Sequence, residues 1–442
     1  MAREPGGTVA PRGASLAAAP VYRAGARAPA PARPLERVLG RVQGAVPGPT
    51  FLALAGLHGN EPAGVEGTRR VLARLEADRT GLRGEVVGLA GNLAALAAGR
   101  RYLVHDLNRR WTAETLEQVR RGAGSLVRTP RSGESTADAL PSSEPPSAGS
   151  PGRQPLAAEA LIAEDRELRE LDRAFAEVVA AADGPVFVLD LHTTSGGGPS
   201  FVVLEDTLPN RRFAMALPAP VVLGLEEELE GTVLGHLTSL GMICAGFEAG
   251  GHLDPASIDR AEAALWVALQ AAGLLVPGAR PEAERAQCRL AAESHHLPPV
   301  VDLRHRHAIG PGDRFEMAPG HRSFEPVKEG QTLAWDRRGP VLAPFDGLLL
   351  MPLYQPQGDD GYFLVRPVRP AWLRLSALVR RLHLERAMHL LPGVESHPEA
   401  PACFRVDRKV ARWLALQLFH LLGFRRRGPL GERYLLMCRR PG

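Results

Sequence analysis

Three segments carry histidines or acids where apolar runs stop. FLALAGL ends in His58-Gly59-Asn60-Glu61, VFVLDL ends in His192-Thr193-Thr194-Ser195, and MICAGF ends in Glu248-Ala249-Gly250-Gly251. His58 and Glu61 form an i, i+3 pair. If Pro62 opens a helix, that spacing sets both side chains on one side of a single turn. His192 supplies a third donor. Two imidazoles and one carboxylate around an open fourth position is the pattern of a catalytic zinc centre. HxxE alone is a common chance occurrence; the glycine after His58, the strand ends and the triplet Asp190-Leu191-His192 narrow it. Ser195 does not sit in a GxSxG elbow, so a serine hydrolase is rejected.

Such residues converge only if the elements before them are neighbouring strands. Short apolar runs lie at Thr50–Leu57, Gly84–Ala90, Pro185–Leu191, Ser200–Leu204, Pro220–Leu225 and Met242–Phe247. Helical periodicity lies between them at Pro62–Leu75, Leu156–Ala182 and Ser257–Leu275. Near-continuous apolar strands alternating with helices predict an α/β sheet buried on both faces. Ligands bind beyond the carboxyl ends of such strands, which is where these histidines and acids fall. From Leu297 to Pro370, turn signals such as Gly310-Pro311-Gly312 and Asp346-Gly347 separate short strand-like runs and predict a compact all-β unit. After Pro370 the pattern returns to helix, notably Arg405–Leu422, with a strand-like Arg433–Cys438.

HGNEPAG, RYLVHDLNR, DLHTTS and FEAGGH, in this order, resemble the motifs of the succinylglutamate desuccinylase and aspartoacylase family, a branch of the zinc carboxypeptidase-like fold. The resemblance covers about Leu35 to Pro370. It implies that His58, Glu61 and His192 hold one Zn2+ per chain, with Glu248 as the general base that activates water and then protonates the leaving amine. It implies that Arg101 polarises the scissile carbonyl and that Asn108 and Arg109 grip a substrate carboxylate. The chemistry is consistent with those roles. Zinc makes hydroxide available near neutral pH, a carboxylate beside that water can carry one proton in and out, and a guanidinium fork fits a carboxylate. Asp190 lies two positions before His192, on the same strand face, and is a candidate to orient its imidazole, as is Asp106. Asn92 matches the family's asparagine, but Leu93 stands where proline is usual, and its role is read as structural. His252 is read as touching substrate or as capping.

In this family a C-terminal β domain covers the cleft, and a tyrosine from it can assist substrate binding; Tyr362 and Tyr354 are the candidates here. EPVKEGQTLA and GPVLAPFDGLLLMP look like the paired turns of a biotinyl or lipoyl carrier barrel, but no lysine follows APFDG, which excludes a carrier. His295, His296, His305 and His307 are read as surface residues. The expected organisation is a disordered leader over 1–34 and a catalytic domain over 35–286 with a disordered insertion at 122–155. A barrel-like β domain over 297–370 and a helical extension over 371–442 complete it.

Composition sets the outer bounds. At about 150 residues per domain, 442 residues suit two or three domains. With 45% hydrophobic and 23% charged residues, a sizeable core is available and wholesale disorder is excluded. All but Lys328 and Lys409 of the 53 basic residues are arginine, set against 49 interspersed acids, and the net charge is only +4. That balance argues against nucleic acid, and Arg425-Arg426-Arg427 reads as a basic helix end. Cys244, Cys288, Cys403 and Cys438 are far apart with no CxxC, so a disulfide framework is not expected and a reducing compartment fits. No apolar stretch reaches about 18 residues, so no spanning helix is expected. Met1 to Pro34 lacks a continuous apolar run and reads as a disordered leader, with a transit peptide as the alternative.

The expectation is a soluble cytoplasmic zinc hydrolase that cleaves the amide of a small N-acyl amino acid carrying a carboxylate. The rivals are a carboxypeptidase acting on peptides and a non-catalytic interaction protein. The amphipathic Val406–Leu422 stretch offers a face for the body or for a second subunit, which leaves a homo-oligomer open.

Overall fold

The computed structural model describes residues 35–122, 162–382, 389–391, 393–397, 400–407, 409, 422, 424–430 and 434–438. The expected leader and nearly all of the expected insertion lie outside them. The first half alternates strands β1 (Val38–Gln43), β2 (Val46–Ala55), β3 (Arg83–Ala90), β4 (Val186–Thr194), β5 (Phe201–Val203), β6 (Val221–Leu223) and β7 (Ile243–Gly251) with helices. These helices are α1 (Ala63–Ala77), α2 (Leu93–Ala98), α3 (Ala113–Arg120), α4 (Ala163–Ala181), α5 (Leu208–Ala214), α6 (Val233–Ser239), α7 (Ala256–Ala271) and α8 (Pro281–Ser294). A β-rich region follows: β8 (Val300–Ala308), β9 (Glu316–Met317), β10 (Pro326–Val327), β11 (Thr332–Asp336), β12 (Gly339–Leu342), β13 (Gly347–Leu350) and β14 (Asp360–Pro367).

The strands form one mixed 11-stranded sheet in the order β1-β3-β2-β4-β7-β5-β6-β8-β14-β13-β10, beside a three-stranded sheet β12-β11-β9. The mixed α/β architecture is the one that the strand–helix alternation predicts. Its centre, β3-β2-β4-β7, is parallel, so the chain must cross back over a face after each strand and both faces become covered. On one face Leu189, Leu191, Phe247 and Ala53 pack with α1 and α7 around Trp266. On the other, Leu52, Leu54 and Val188 pack with Leu168, Leu171 and Phe175 of α4. Parity of β4 then sends Asp190 and His192 to the face opposite Leu189 and Leu191.

Two motif glycines act through packing. A Cβ at Gly64, in α1, would lie 2.7 Å from the Leu191 Cβ, so α1 can sit directly on β4 only without a side chain there. One at Gly59 would lie 2.0 Å from the Ala95 carbonyl carbon, where α2 crosses behind the first ligand loop.

The C-terminal region departs from a purely helical extension. Helix α9 (Pro370–Arg381) is followed by an antiparallel sheet, β15 (Val394–His397), β16 (Ala400–Asp407), β17 (Arg425–Leu430) and β18 (Tyr434–Cys438), in the order β15-β16-β18-β17. Arg405–Asp407, expected to open a helix, close β16; of the rest of that stretch only 409 and 422 are described. Val406, Phe404, Leu435 and Met437 form its small core, a period of two that the helical reading overlooked. Arg425-Arg426-Arg427 likewise lies in a strand and not at a helix end. Antiparallel pairing sets Cys403 opposite Cys438, and the two are joined by a disulfide, contrary to the expectation from spacing. The reducing-compartment reading thereby loses its premise. Among the described residues no helix is long and apolar enough to cross a membrane.

Helix α9 is tied to the body through charge. Buried Asp206 receives Arg211 Nη2 at 2.6 Å and Arg380 Nη2 at 2.8 Å, and Arg211 also donates to the Ser376 hydroxyl. This cluster fixes the strand-end residues Leu204 and Glu205, which line the cleft described next.

Candidate active site

A cavity of about 140 Å³ opens beyond the carboxyl ends of β2, β4 and β7. His58, Glu61, Asp190, His192 and Glu248 all line it, and so do Arg101, Asn108 and Arg109. Sequence reasoning placed these eight residues together, and the structure brings them together.

His58 leaves the end of β2, and Glu61 follows one turn later, immediately before Pro62 and α1. The Glu61 carboxylate lies between the two imidazoles: Oε1 is 2.9 Å from His58 Nδ1, and Oε2 is 3.0 Å from His192 Nδ1. The far nitrogens are held by carboxylates. His58 Nε2 lies 3.2 Å from Asp106 Oδ1, and His192 Nε2 lies 2.8 Å from Asp190 Oδ2. One donor atom from each of His58, Glu61 and His192 falls within 4.8 Å of the others, and all three residues are buried. Imidazoles whose outer nitrogens face carboxylates and whose inner nitrogens converge are the donor set of a divalent metal site. The residues therefore fit zinc.

The electrostatics point the same way. Burial opposes ionisation of Glu61, yet the charge of His58 and hydrogen bonds from His192 and His58 outweigh it and hold the carboxyl well below its usual range. Burial also opposes protonation of His192, but Asp190 outweighs it and holds the imidazole well above its ordinary value. Asp106, buried yet faced by Arg101 and His58, stays well below the carboxylate range. The carboxylates and imidazoles of this pocket thus stabilise one another's charges despite their burial.

Glu248 is the cross-strand neighbour of His192 on parallel strands, so both side chains rise from the same sheet face. Burial pushes its carboxyl up to about 8, with Glu61 and Asp190 adding to the rise and His192 and Arg101 opposing it. Its Oε2 is shielded from solvent and has no hydrogen-bond partner among the described residues. Such a carboxyl is poised to change protonation state during a reaction.

The arginines sit on the loop between α2 and α3. Glu164, at the start of α4, accepts from the Leu103 amide at 2.7 Å and the Val104 amide at 3.2 Å, and Asp165 pairs with Arg110 at 2.5 Å. Asp106 caps the short 3-10 turn Leu107–Arg109 by accepting from the Asn108 amide at 2.8 Å. Arg101 donates through Nε and Nη2 to Asp106 Oδ2, at 3.2 and 2.9 Å, and its Nη1 stands 3.5 Å from Glu61 Oε1. Asn108 Oδ1 accepts from the Val233 amide that opens α6. Arg109 Nη2 donates to Asp360 Oδ2 at 3.1 Å.

The β-rich region roofs the cleft with its 351–360 connector. Gln355 Oε1 accepts from Asn60 Nδ2 at 2.6 Å and lies 3.1 Å from His252 Nε2. The other ring nitrogen of His252 faces the Thr193 hydroxyl at 2.7 Å, and burial lowers its pKa to about 4. His252 thus links the rim of β4 to the roof as a neutral imidazole.

The two tyrosine candidates are placed elsewhere. Tyr362 is fully buried, stacks on His307 at 5.1 Å between ring centroids, and belongs to the apolar cluster of the β-rich region. A bulge between Asp360 and Tyr362 breaks strand alternation, so Asp360 reaches the cleft and Tyr362 does not. The Tyr354 hydroxyl donates to the Ala318 carbonyl and accepts from the His321 amide, which makes it a brace of the roof. Asn92 caps α2 through the Ala95 amide, the structural role read for it. Gln355, Asp360 and Arg306 went unnoticed in the sequence. Their only signal was position in the β-rich segment, in the case of Asp360 two residues from the tyrosine that drew attention.

A model described as the Succinylglutamate desuccinylase/Aspartoacylase catalytic domain matches residues 47–137. That span holds His58, Glu61, Arg101, Asn108 and Arg109 and stops before His192 and Glu248. The succinylglutamate desuccinylase of Photorhabdus laumondii is 46% identical over 55 residues, which are 12% of this chain and 17% of that protein, so the match spans about a sixth of its length. Among solved structures, the succinylglutamate desuccinylase/aspartoacylase from Rhodobacter sphaeroides aligns with a TM-score of 0.48 at 18% identity, covering 74% of this chain and 88% of the other. An aspartoacylase family protein from Mesorhizobium loti aligns with a TM-score of 0.46 at 17% identity over 74% and 88% of the two chains.

Proposed function

We propose that this chain, whose 47–137 segment matches the succinylglutamate desuccinylase/aspartoacylase catalytic-domain model, is a zinc-dependent deacylase that hydrolyses the amide bond of a small N-acyl amino acid. The observation that carries this reading is the Glu61 carboxylate set between two inward imidazole nitrogens whose outward nitrogens face Asp106 and Asp190. His58, Glu61 and His192 would hold the zinc, which would supply the Lewis acidity that activates water and polarises the acyl carbonyl.

The remaining chemistry belongs to the chain's own groups. Glu248, one strand over from His192, takes a proton from the attacking water as the new carbon–oxygen bond forms. It returns that proton to the nitrogen as the carbon–nitrogen bond breaks, and the new carboxylic acid gives up its own proton to the amine, so the products are a carboxylate and an ammonium. A carboxyl held near 8 by burial gains its base form when positive charge is added beside it, and it remains acidic enough to give the proton back. Arg101, fixed by Asp106 and 3.5 Å from the shared Glu61 carboxylate, adds positive charge where the carbonyl oxygen becomes anionic. Arg109 receives the substrate carboxylate, and Asn108 anchors that receptor to α6. The roof formed by Met351, Leu353 and Gln355 limits the cleft to small molecules, in keeping with an N-acyl amino acid more than a long peptide.

The test joins metal content to turnover. Purified without chelator, the chain is expected to hold one zinc and to hydrolyse some member of a panel of N-acetyl and N-succinyl amino acids. Glu248→Gln should keep the metal and lose about 10²- to 10⁴-fold in kcat. Absence of zinc, or undiminished turnover in the variant, would overturn the reading.

A further inference from the structure

We propose that Asp360 makes this cleft select N-acyl amino acids with a single carboxylate over dicarboxylic ones such as N-acyl aspartate or glutamate. This rests on the preceding reading of Arg109 as the carboxylate receptor and deepens it by naming the substrate's charge class. Arg109 does not present a free fork. Its Nη1 donates to the Asn108 carbonyl at 2.9 Å, and its Nη2 donates to Asp360 Oδ2 at 3.1 Å. The other oxygen of Asp360 accepts from Arg306 Nε at 2.6 Å, and Arg306 Nη1 donates to the Glu228 carbonyl at 2.7 Å. Asp360 and both arginines are largely buried, with side-chain exposures of 15%, 26% and 26%, so bulk water screens them little.

Two guanidiniums around one carboxylate leave one positive charge, enough for one substrate carboxylate. A second has no comparable receptor. Among the described residues lining the cleft, the other arginine is Arg101, whose fork is committed to Asp106. The same walls carry Asp359, next to Asp360, so a second substrate carboxylate placed there meets like charge. Like charges brought together in a partly buried site cost about tenfold or more in affinity. Asp360 itself stands against Arg109, where a second carboxylate would have to compete with it. It arrives from 251 residues away along the chain, held by the β8–β14 pairing rather than by any local motif.

The experiment measures binding of aspartate, glutamate and alanine to the full-length zinc-loaded chain by calorimetry, beside kcat and KM for their N-acetyl derivatives. Wild-type protein should bind alanine more tightly than aspartate. Asp360→Asn should shift the aspartate-to-alanine affinity ratio by about tenfold, with the same shift in KM and little change in kcat. Arg306→Gln should weaken all three amino acids, because Arg109 and Asp360 then neutralise each other. Tighter binding of aspartate by the wild type, or a ratio unmoved in Asp360→Asn, overturns the proposal and leaves the deacylase reading intact. A shifted binding ratio without turnover of any N-acetyl or N-succinyl amino acid supports the role of Asp360 and sinks the deacylase reading. Failure of all three amino acids to bind either protein sinks both.

Discussion

The two ends of the cleft are charged in opposite ways and completed by different means. At the metal end, His58 and His192 point their inner nitrogens at one carboxylate while Asp106 and Asp190 hold their outer ones. Carboxylates outnumber guanidiniums there, and the three convergent donors could hold a metal ion. At the arginine end the polypeptide provides everything: Asn108 Oδ1 is taken by the Val233 amide, and Arg109 by Asp360. The first end is a candidate metal site, set by short motifs at strand ends. The second is a nearly satisfied network, closed by a residue from the β-rich region. On the proposed reading, chemistry would rest on the strand-end motifs and selectivity on the β-rich region.

If the metal end is incomplete without a cation, loosening its outer carboxylates should cost metal before it costs fold. Asp190→Asn keeps shape but removes the charge that holds His192, and zinc affinity should fall about 10- to 100-fold, measured by competition with a chelator. Unchanged affinity would mean that His192 needs no outer partner, and the contrast between the two ends would break. The equivalent loss at the arginine end, Asp360→Asn, should leave metal affinity alone.

Glu248 offers a pH test of the same end. In metal-free protein its carboxyl is raised from about 4.5 to about 8. Folding therefore favours the protonated form, and this contribution is fully present below 4.5 and is lost as pH rises through 8. Glutamine does not titrate. The melting temperature of metal-free Glu248→Gln should match that of wild type near pH 4.5 and exceed it by several degrees above pH 8. Bound zinc favours the carboxylate and should close that gap. A gap that ignores pH, or that survives zinc, would show that Glu248 does not feel the metal end.

The same contrast explains what could be read from the sequence. His58, Glu61, His192 and Glu248 sit where apolar runs end, and the sheet puts those ends side by side; spacing and strand logic suffice. Asp360 and Gln355 act across more than 250 residues, and only the β8–β14 register and the bulge before Tyr362 bring Asp360 round to the cleft. Nothing local in GDDGYFLVR separates the aspartate that lines the cleft from the tyrosine that does not. The C-terminal sheet failed for a related reason. The stretch beginning at Arg405 has helical periodicity, but Phe404 and Val406 also alternate, and pairing with β18 decides between the two. That pairing likewise makes neighbours of Cys403 and Cys438, 35 positions apart.

Tyr362 gives the smallest effect. Its ring is stacked on His307 inside an apolar cluster, and its hydroxyl is buried with no hydrogen-bond partner among the described residues. Burial pushes the phenol up to about 12, so it is a neutral, unsatisfied donor. An unmade hydrogen bond in such a place costs its desolvation without return. Tyr362→Phe removes the oxygen and keeps the stack, so stability to urea should rise by about 1 kcal/mol, while KM and kcat stay as they are for every substrate. Were this tyrosine a substrate ligand, the same change would raise KM and leave stability flat. A tenfold rise in KM would put the ring in the cleft, and the β-rich region would then hold substrate through Tyr362 as well as through the Asp360 pairing with Arg109.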